Sequence, residues 1–308
     1  MQICIESTIP GRVPMTQTSM EPSGVTGDVL RLPTGSPRRV PFAKWSKWAV
    51  RAGIALIYLF MLSPLIFVVW LSFFKDAIIT FPPSGYTVSW YVNAWRNAAF
   101  ANGFLLSLQL AACAAIGGVI LGVAASLALA RYRFPGRRTL GNVLLLPLVV
   151  PGIVAGIATY LFYLRAENAF DVDIVGTFGG LVIAHICLTI PWTMRLVGAS
   201  LAQIDGTIEE AARNLGAGPW RTLWRVTLPM LRPAIVAAAL FSFIVSFENL
   251  ELTLPLVGPG KTTLPIAIMQ YLEFNLDPTI AAVSAAQIVL LGIVMLITDR
   301  FVKLSQVI

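Results

Sequence analysis

The chain has 308 residues, of which 57% are hydrophobic and only 12% charged, a balance far more apolar than that of an average soluble domain. A formal net charge of +7 raises nucleic acid as a partner, but the basic residues fall at the ends of apolar runs and not on one soluble face, which excludes that reading and points to membrane orientation. Cys4 lies in a polar tail and Cys113 and Cys187 inside apolar segments, so no disulfide framework or CxxC site is indicated, and the three read as small apolar filler.

In chain order, residues 1–43 are rich in Pro, Ser, Thr and Gly and show no sustained apolar period, which predicts a disordered tail, with Met15 and Met20 as alternative starts. The first apolar run begins after Arg51 and is too long for a cleaved signal, so it reads as a retained first span. Six runs follow one another at 52–74, 97–130, 139–164, 174–194, 233–254 and 278–298. Each reaches the roughly 20 residues a helix needs to cross hydrocarbon. Because open sheets cannot span lipid, the prediction is an all-α membrane protein of six transmembrane helices, a single membrane domain over 44–308.

Lys and Arg set the orientation. With both termini cytoplasmic, Arg38, Arg39, Lys44, Lys47, Arg51, Arg131, Arg133, Arg137, Arg138, Arg213, Arg221, Arg225, Arg232, Arg300 and Lys303 all lie inside, against Lys75, Arg96, Arg165 and Lys261 outside. The opposite orientation reverses that bias.

Within the spans, Gly118 and Gly122, then Gly152 and Gly156, form GxxxG patterns whose small residues let neighbouring helices approach. Pro147 and Pro151 either kink the third span for packing or free carbonyls toward a cavity. The lone His185, in an apolar run, is either a satisfied packing residue or part of a path. No second histidine, G-x-S-x-G or H-E-x-x-H accompanies it, so no enzyme is read here. Gly260-Lys261-Thr262 looks like the end of a P-loop, but the position that needs the first glycine holds Pro255, so nucleotide binding by this chain is not expected.

Between the fourth and fifth spans, residues 205–232 read as a polar helical hairpin: Thr207 and Glu210 fit a capping box, Gly216 a helix end, and Pro219 the first turn of a second helix. Pro229 and Pro233 mark re-entry into the membrane. The order Glu210-Ala211-Ala212, three residues, Gly216, nine residues, Val226, one residue, Leu228-Pro229 resembles the EAA loop of ABC importer permeases, with Val226 where the family usually shows Ile. The resemblance implies a type I ABC importer permease bundle in a bacterial inner membrane. It also implies that the hairpin enters a groove on a cytoplasmic ATPase dimer, which holds the ATP and Mg; this chain binds no cofactor or metal of its own. Glu210, Ala211, Ala212 and Gly216, with Leu215 and Ala217 beside the turn, would carry that coupling. Physically, two alanines allow close approach and Gly216 a sharp turn, while Glu210 either caps its own helix or meets a basic partner.

The fifth span carries acids. Counted from Pro233, Glu248 lies at a depth of roughly 22 Å, and Glu251 at i+3 is expected on the same helical face. The two either line a watery path that attracts a cation or pair with donors near the outer interface. Ser246 to Pro265, with Ser-Phe, an acidic pair, Gly-Pro-Gly and Thr-Thr-Leu-Pro, is similar to spermidine/putrescine importer permeases of the second-subunit type, as is Phe81 to Trp95. Asn249 departs from that pattern at the second acid, and Glu251 adds a carboxylate further on. The likeness implies Glu248, Asn249 and Glu251 in the substrate path, a second, related permease as partner, and an extracytoplasmic solute-binding protein. An ion-coupled secondary transporter using Glu248, Glu251 and His185 is the rival reading; it would work without ATP and would not need the hairpin.

Overall fold

A computed structural model describes residues 44–78 and 80–302. The expected tail, with Cys4, Met15, Met20, Arg38 and Arg39, lies outside the described residues, as does Lys303. The chain divides within helix α1 (Lys44–Leu71) into a unit ending at Leu56 and a unit starting at Ile57. Among the described residues the first unit is the opening of α1, where the Arg51 guanidinium stands over Trp48, 5.8 Å from the ring centroid.

The second unit is helical. After the rest of α1 come α2 (Ser89–Arg96), α3 (Ala98–Arg131), α4 (Arg137–Leu145), α5 (Gly152–Phe170), α6 (Phe178–Gln203), α7 (Gly206–Asn214), α8 (Pro219–Thr222), α9 (Leu228–Phe247), α10 (Leu264–Phe274) and α11 (Thr279–Val302). Its β structure, among the described residues, is one isolated bridge between Phe74 and Tyr86. Helix is the form these apolar runs must take, because lipid offers no partner to an open backbone. Among the described residues, five helices are long and apolar enough to cross a membrane alone, those built on α1, α3, α6, α8–α9 and α11.

The run expected as the third span is broken. Where one helix was expected over 139–164, α4 passes through a 3-10 turn at Leu146–Leu148 and α5 sets off at 110° to it. Pro147 and Pro151 explain the break: neither has an N–H to continue the ladder, and each disfavours helical backbone in the residue before it. The expected fifth helix over 233–254 is also displaced, running from Pro219 to Phe247 through a π-helical turn at Leu223–Thr227. That wider turn sits just ahead of Pro229 and Pro233, whose rings crowd the preceding carbonyls of a regular helix.

Helices α3, α6 and α9 form the centre. On α3 the buried stripe is mostly small: Ser107, Ala111, Ala114, Ala115, Gly118, Gly122 and Ser126. This brings α6 in close. A Cβ on Gly122 would stand 2.6 Å from Thr193 Cβ, and one on Gly118 would stand 2.9 Å from Thr189 Cβ. Apolar layers lie along this contact: Val197, Leu201, Leu231 and Ala238 at the end near α7, Leu110, Leu181, Ala184 and Leu256 farther along, and Phe100, Phe247, Leu264 and Val283 toward α10 and α11. The second glycine pair behaves otherwise: Gly152 and Gly156 meet Glu251, Leu252 and Pro255, a turn and not a neighbouring helix. Cys113 and Cys187 are exposed on α3 and α6, so they do not fill the core as expected.

Replacing Gly122 by Val should overpack the α3–α6 contact and lower stability by about 1–3 kcal/mol. Gly198→Ala, where an added Cβ meets nothing within 4 Å, should change it by less than about 1 kcal/mol. Thermal unfolding of the two variants in detergent compares these outcomes.

Candidate functional site

The hairpin starts with a cap that differs from the one expected. Asp205, not Thr207, is the N-cap of α7, its carboxylate accepting from the Thr207 N–H at 3.0 Å. That backbone bond, and then the Thr207 hydroxyl, hold the Asp205 carboxyl below its ordinary value. Glu210 takes no part in a capping box and is exposed. At the other end Gly216 adopts φ +85, a left-handed conformation suited to glycine. The Ala217 N–H reaches Ala212 O at 3.1 Å and the Gly216 N–H reaches Arg213 O at 2.9 Å, the paired bonds of a Schellman motif. The hairpin turn is therefore rigidly closed.

Its outer surface is apolar to an unusual degree. Leu215 is 89% exposed, Trp220 73% and Trp224 66%, with Ile208 also exposed and Glu210, Arg213, Arg221 and Arg225 around them. Large apolar side chains grouped on a polar hairpin, ringed by charge, have the make-up of a protein-binding surface.

The inner side carries a residue the sequence reading passed over. Glu209, next to Glu210 and equally acidic, turns inward and is only 5% exposed. It pairs with Arg131 at the end of α3 and accepts a hydrogen bond from Thr227 Oγ1 at 2.8 Å, in the π-helical turn. One carboxylate thus ties three elements together. The available signal was positional: Glu209 lies three residues before Ala212, on the less exposed side of α7, whereas Glu210 falls on the exposed side.

At the far ends of α6 and α9 lies the acidic turn. Because α9 stops at Phe247, Glu248 is its C-cap, and Glu248 and Glu251 do not share a helical face as expected. Asn249 closes the turn, its Oδ1 accepting from the Leu252 N–H at 3.0 Å. Glu248 and Glu251 are exposed and, among the described residues, have no ion-pair partner. Glu251 rests on Gly152, the first residue of α5, while the turn's backbone at Leu252 O would stand 2.9 Å from a Cβ on Gly156. The break between α4 and α5 is thereby placed against the acids. Behind them His185 is fully buried, with Nδ1 2.8 Å from Ser246 Oγ and Nε2 3.1 Å from Thr253 Oγ1, a satisfied packing position. Gly258 and Gly260 belong to the following loop, where Gly258 packs on Gly176.

A helical membrane body with a broken apolar run, acids beside the break and an exposed, partly apolar hairpin at the opposite end of the same helix pair fits the construction of a solute permease. The chain belongs to the family described as binding-protein-dependent transport system inner membrane component, whose model matches residues 118–306, a stretch holding both the hairpin and the acidic turn. It is 30% identical over 250 residues, 81% of this chain and 88% of the relative, to the putrescine transport system permease protein PotI of Escherichia coli. It is 33% identical over 224 residues, 73% of this chain and 82% of the relative, to the putative 2-aminoethylphosphonate transport system permease protein PhnV of Salmonella paratyphi A. Among solved structures, a bacterial ABC transporter involved in the import of the acidic polysaccharide alginate matches in fold, with TM-score 0.65 and 17% identity over 84% of this chain and 96% of that one. The chain is a multi-pass ABC importer permease.

Arg131→Gln should leave the buried Glu209 with Thr227 alone and destabilise the protein by about 2 kcal/mol, below the 3–5 kcal/mol of a fully buried pair because Arg131 is partly open to water. Adding Glu209→Gln should recover part of that loss. A double-mutant cycle by thermal unfolding measures the coupling.

Proposed function

We propose that this chain is one of two related permease subunits of an ATP-driven importer that carries a polyamine, putrescine or spermidine, or a related small amino compound across a bacterial inner membrane. The observation that carries the reading is the exposed pair Glu248 and Glu251, without an ion-pair partner among the described residues, beside the break between α4 and α5. A carboxylate surrounded by apolar helices attracts an ammonium group strongly, since little water competes. Asn249 holds the turn that presents both acids. The relatives' names agree with this chemistry: putrescine and 2-aminoethylphosphonate share a primary amine.

Drive comes from the other end. The hairpin, with Glu210, Ala211, Ala212, Leu215, Gly216 and Ala217 around its Schellman turn, docks on a cytoplasmic ATPase dimer that binds ATP and Mg. Motion of the ATPases displaces the hairpins and switches the bundle between two discrete arrangements. An extracytoplasmic binding protein delivers the solute. The positive-inside count, which puts the Arg131–Arg138 turn and the hairpin on one side, supports this orientation. A second substrate, 2-aminoethylphosphonate, is favoured by the 33% identical relative.

Cells expressing the whole system should take up labelled putrescine or spermidine saturably. Glu210→Lys should abolish uptake with the complex still assembled, and Glu248→Gln with Glu251→Gln should reduce it by about tenfold or more. Unchanged polyamine uptake in the double variant removes the proposed recognition. If only 2-aminoethylphosphonate is taken up, the importer stands and the polyamine is discarded.

A further inference from the structure

The hairpin and the acidic turn lie at opposite ends of one U-shaped stretch of chain. Helix α6 leads into α7, and α8 leads through the π-helical turn into α9. Along α6, His185, Thr189 and Thr193 recur every four residues and are fully buried. Facing them on α9 are Ser242 and Ser246, also four apart, and beyond the helix end Thr253, all buried. Thr193 Oγ1 lies 3.2 Å from Ser242 Oγ and His185 Nδ1 2.8 Å from Ser246 Oγ, two polar rungs between the arms. Thr189 points the other way, its hydroxyl lying 3.1 Å from Ala114 O of α3 and 3.0 Å from His185 O of its own helix.

The protons on the upper rung can be assigned from the bonds. Thr253 Oγ1 donates its hydrogen to Asn249 O at 2.7 Å, so toward His185 it can only accept. Nε2 therefore carries the imidazole proton, and Nδ1 accepts from the Ser246 hydroxyl. Both ring nitrogens are used by a neutral imidazole. Removing either partner strands a polar atom in a dry core, which makes the arrangement discriminating.

The same bond reaches the acids. Thr253 sits two residues after Glu251, and the turn holding both is closed on itself by Asn249 Oδ1 and by the Leu254 N–H to Leu250 O bond at 2.9 Å. On its other side the turn lies against Gly152 and Gly156 of α5. His185 therefore attaches a stiff acidic turn to α6 by a hydrogen bond, while α5 meets that turn through Gly152, Gly156 and the apolar cluster that Tyr163 shares with Leu252 and Leu256, with no side-chain hydrogen bond between them among the described residues. We propose that His185 is a positioning residue: it fastens the Glu248–Leu256 turn to the α6–α9 pair, so that turn and hairpin move as one body and the acids slide past the start of α5. The inference rests on the hairpin-driven import described above but not on the identity of the solute.

The test uses the complete complex in nanodiscs, this chain carrying Glu251→Cys with its native cysteines replaced, and reads the rate at which a charged thiol reagent labels the introduced thiol before and after vanadate trapping with ATP. Thr253→Val keeps the side chain's shape and deletes the acceptor for His185 Nε2–H; Thr253→Ser keeps the hydroxyl. Trapping should change the labelling rate of the parent by about tenfold. Thr253→Val should lose most of that change while ATP hydrolysis and assembly persist, and Thr253→Ser should restore it. A Thr253→Val complex that assembles but loses ATP hydrolysis together with the labelling response marks a merely structural Thr253 and overturns the proposal. Should Thr253→Val fail to assemble, Ser246→Ala, which removes the donor to Nδ1, is read the same way. If the variant keeps the full response, the proposal is overturned and the importer reading stands. A parent whose labelling ignores trapping overturns the hairpin-coupling reading, and this inference with it.

Discussion

The close approach of α3 and α6 is the contact on which the other features depend. It exists because α3 offers glycine at 118 and 122 where α6 offers Thr189 and Thr193, leaving no room for a Cβ between them. In lipid, apolar side chains gain nothing from leaving water, so close van der Waals packing and internal hydrogen bonds must hold helices together. The approach supplies both. It lets Thr189 reach the Ala114 carbonyl of α3, and it sets α6 at the height where His185 and Thr193 meet the serines of α9.

From this centre the functional parts take their places. The α6 and α9 arms continue into a hairpin whose turn is locked by two backbone bonds at Gly216 and whose inner face is tied to α3 through Glu209 and Arg131. A push on such a hairpin is carried into the core and not absorbed by a loose loop. At the other end the chain leaves α9 in a turn that presents two exposed carboxylates to the break between α4 and α5. A break in a span leaves backbone groups without helical partners, which is tolerated where a cavity or the protein itself meets them. The acidic turn and the hairpin are thus built on the same pair of helices.

Much of this was legible in the sequence, for identifiable reasons. Apolar length and the distribution of Arg and Lys announce an all-helical membrane body, because hydrocarbon thickness and leaflet charge act on composition directly. The hairpin was legible from its turn chemistry, since Gly216 and Pro219 have few alternative uses. Boundaries set by tertiary contacts were not. The α9 helix ends at Phe247, after which Asn249 and Thr253 close a turn by their own hydrogen bonds, and nothing in the hydropathy of 248–254 says so. Glu209 and Glu210 are neighbours of one type, and only their angular positions on α7 separate a buried link from an exposed surface. The 110° break could be suspected from Pro147 and Pro151, but its partner, the acidic turn, lies about a hundred residues on in the sequence.

The central claim is that solute moves through this bundle because ATP hydrolysis moves the hairpin. It is tested most directly in proteoliposomes containing both permeases and the ATPases, with binding protein and labelled solute on one side, ATP on the other, and no ion gradient. The account predicts accumulation of the amine solute that requires hydrolysable ATP and is indifferent to protonophores. Accumulation driven by an imposed proton or sodium gradient in the absence of ATP would contradict it and identify Glu248 and Glu251 with an ion-coupled transporter instead.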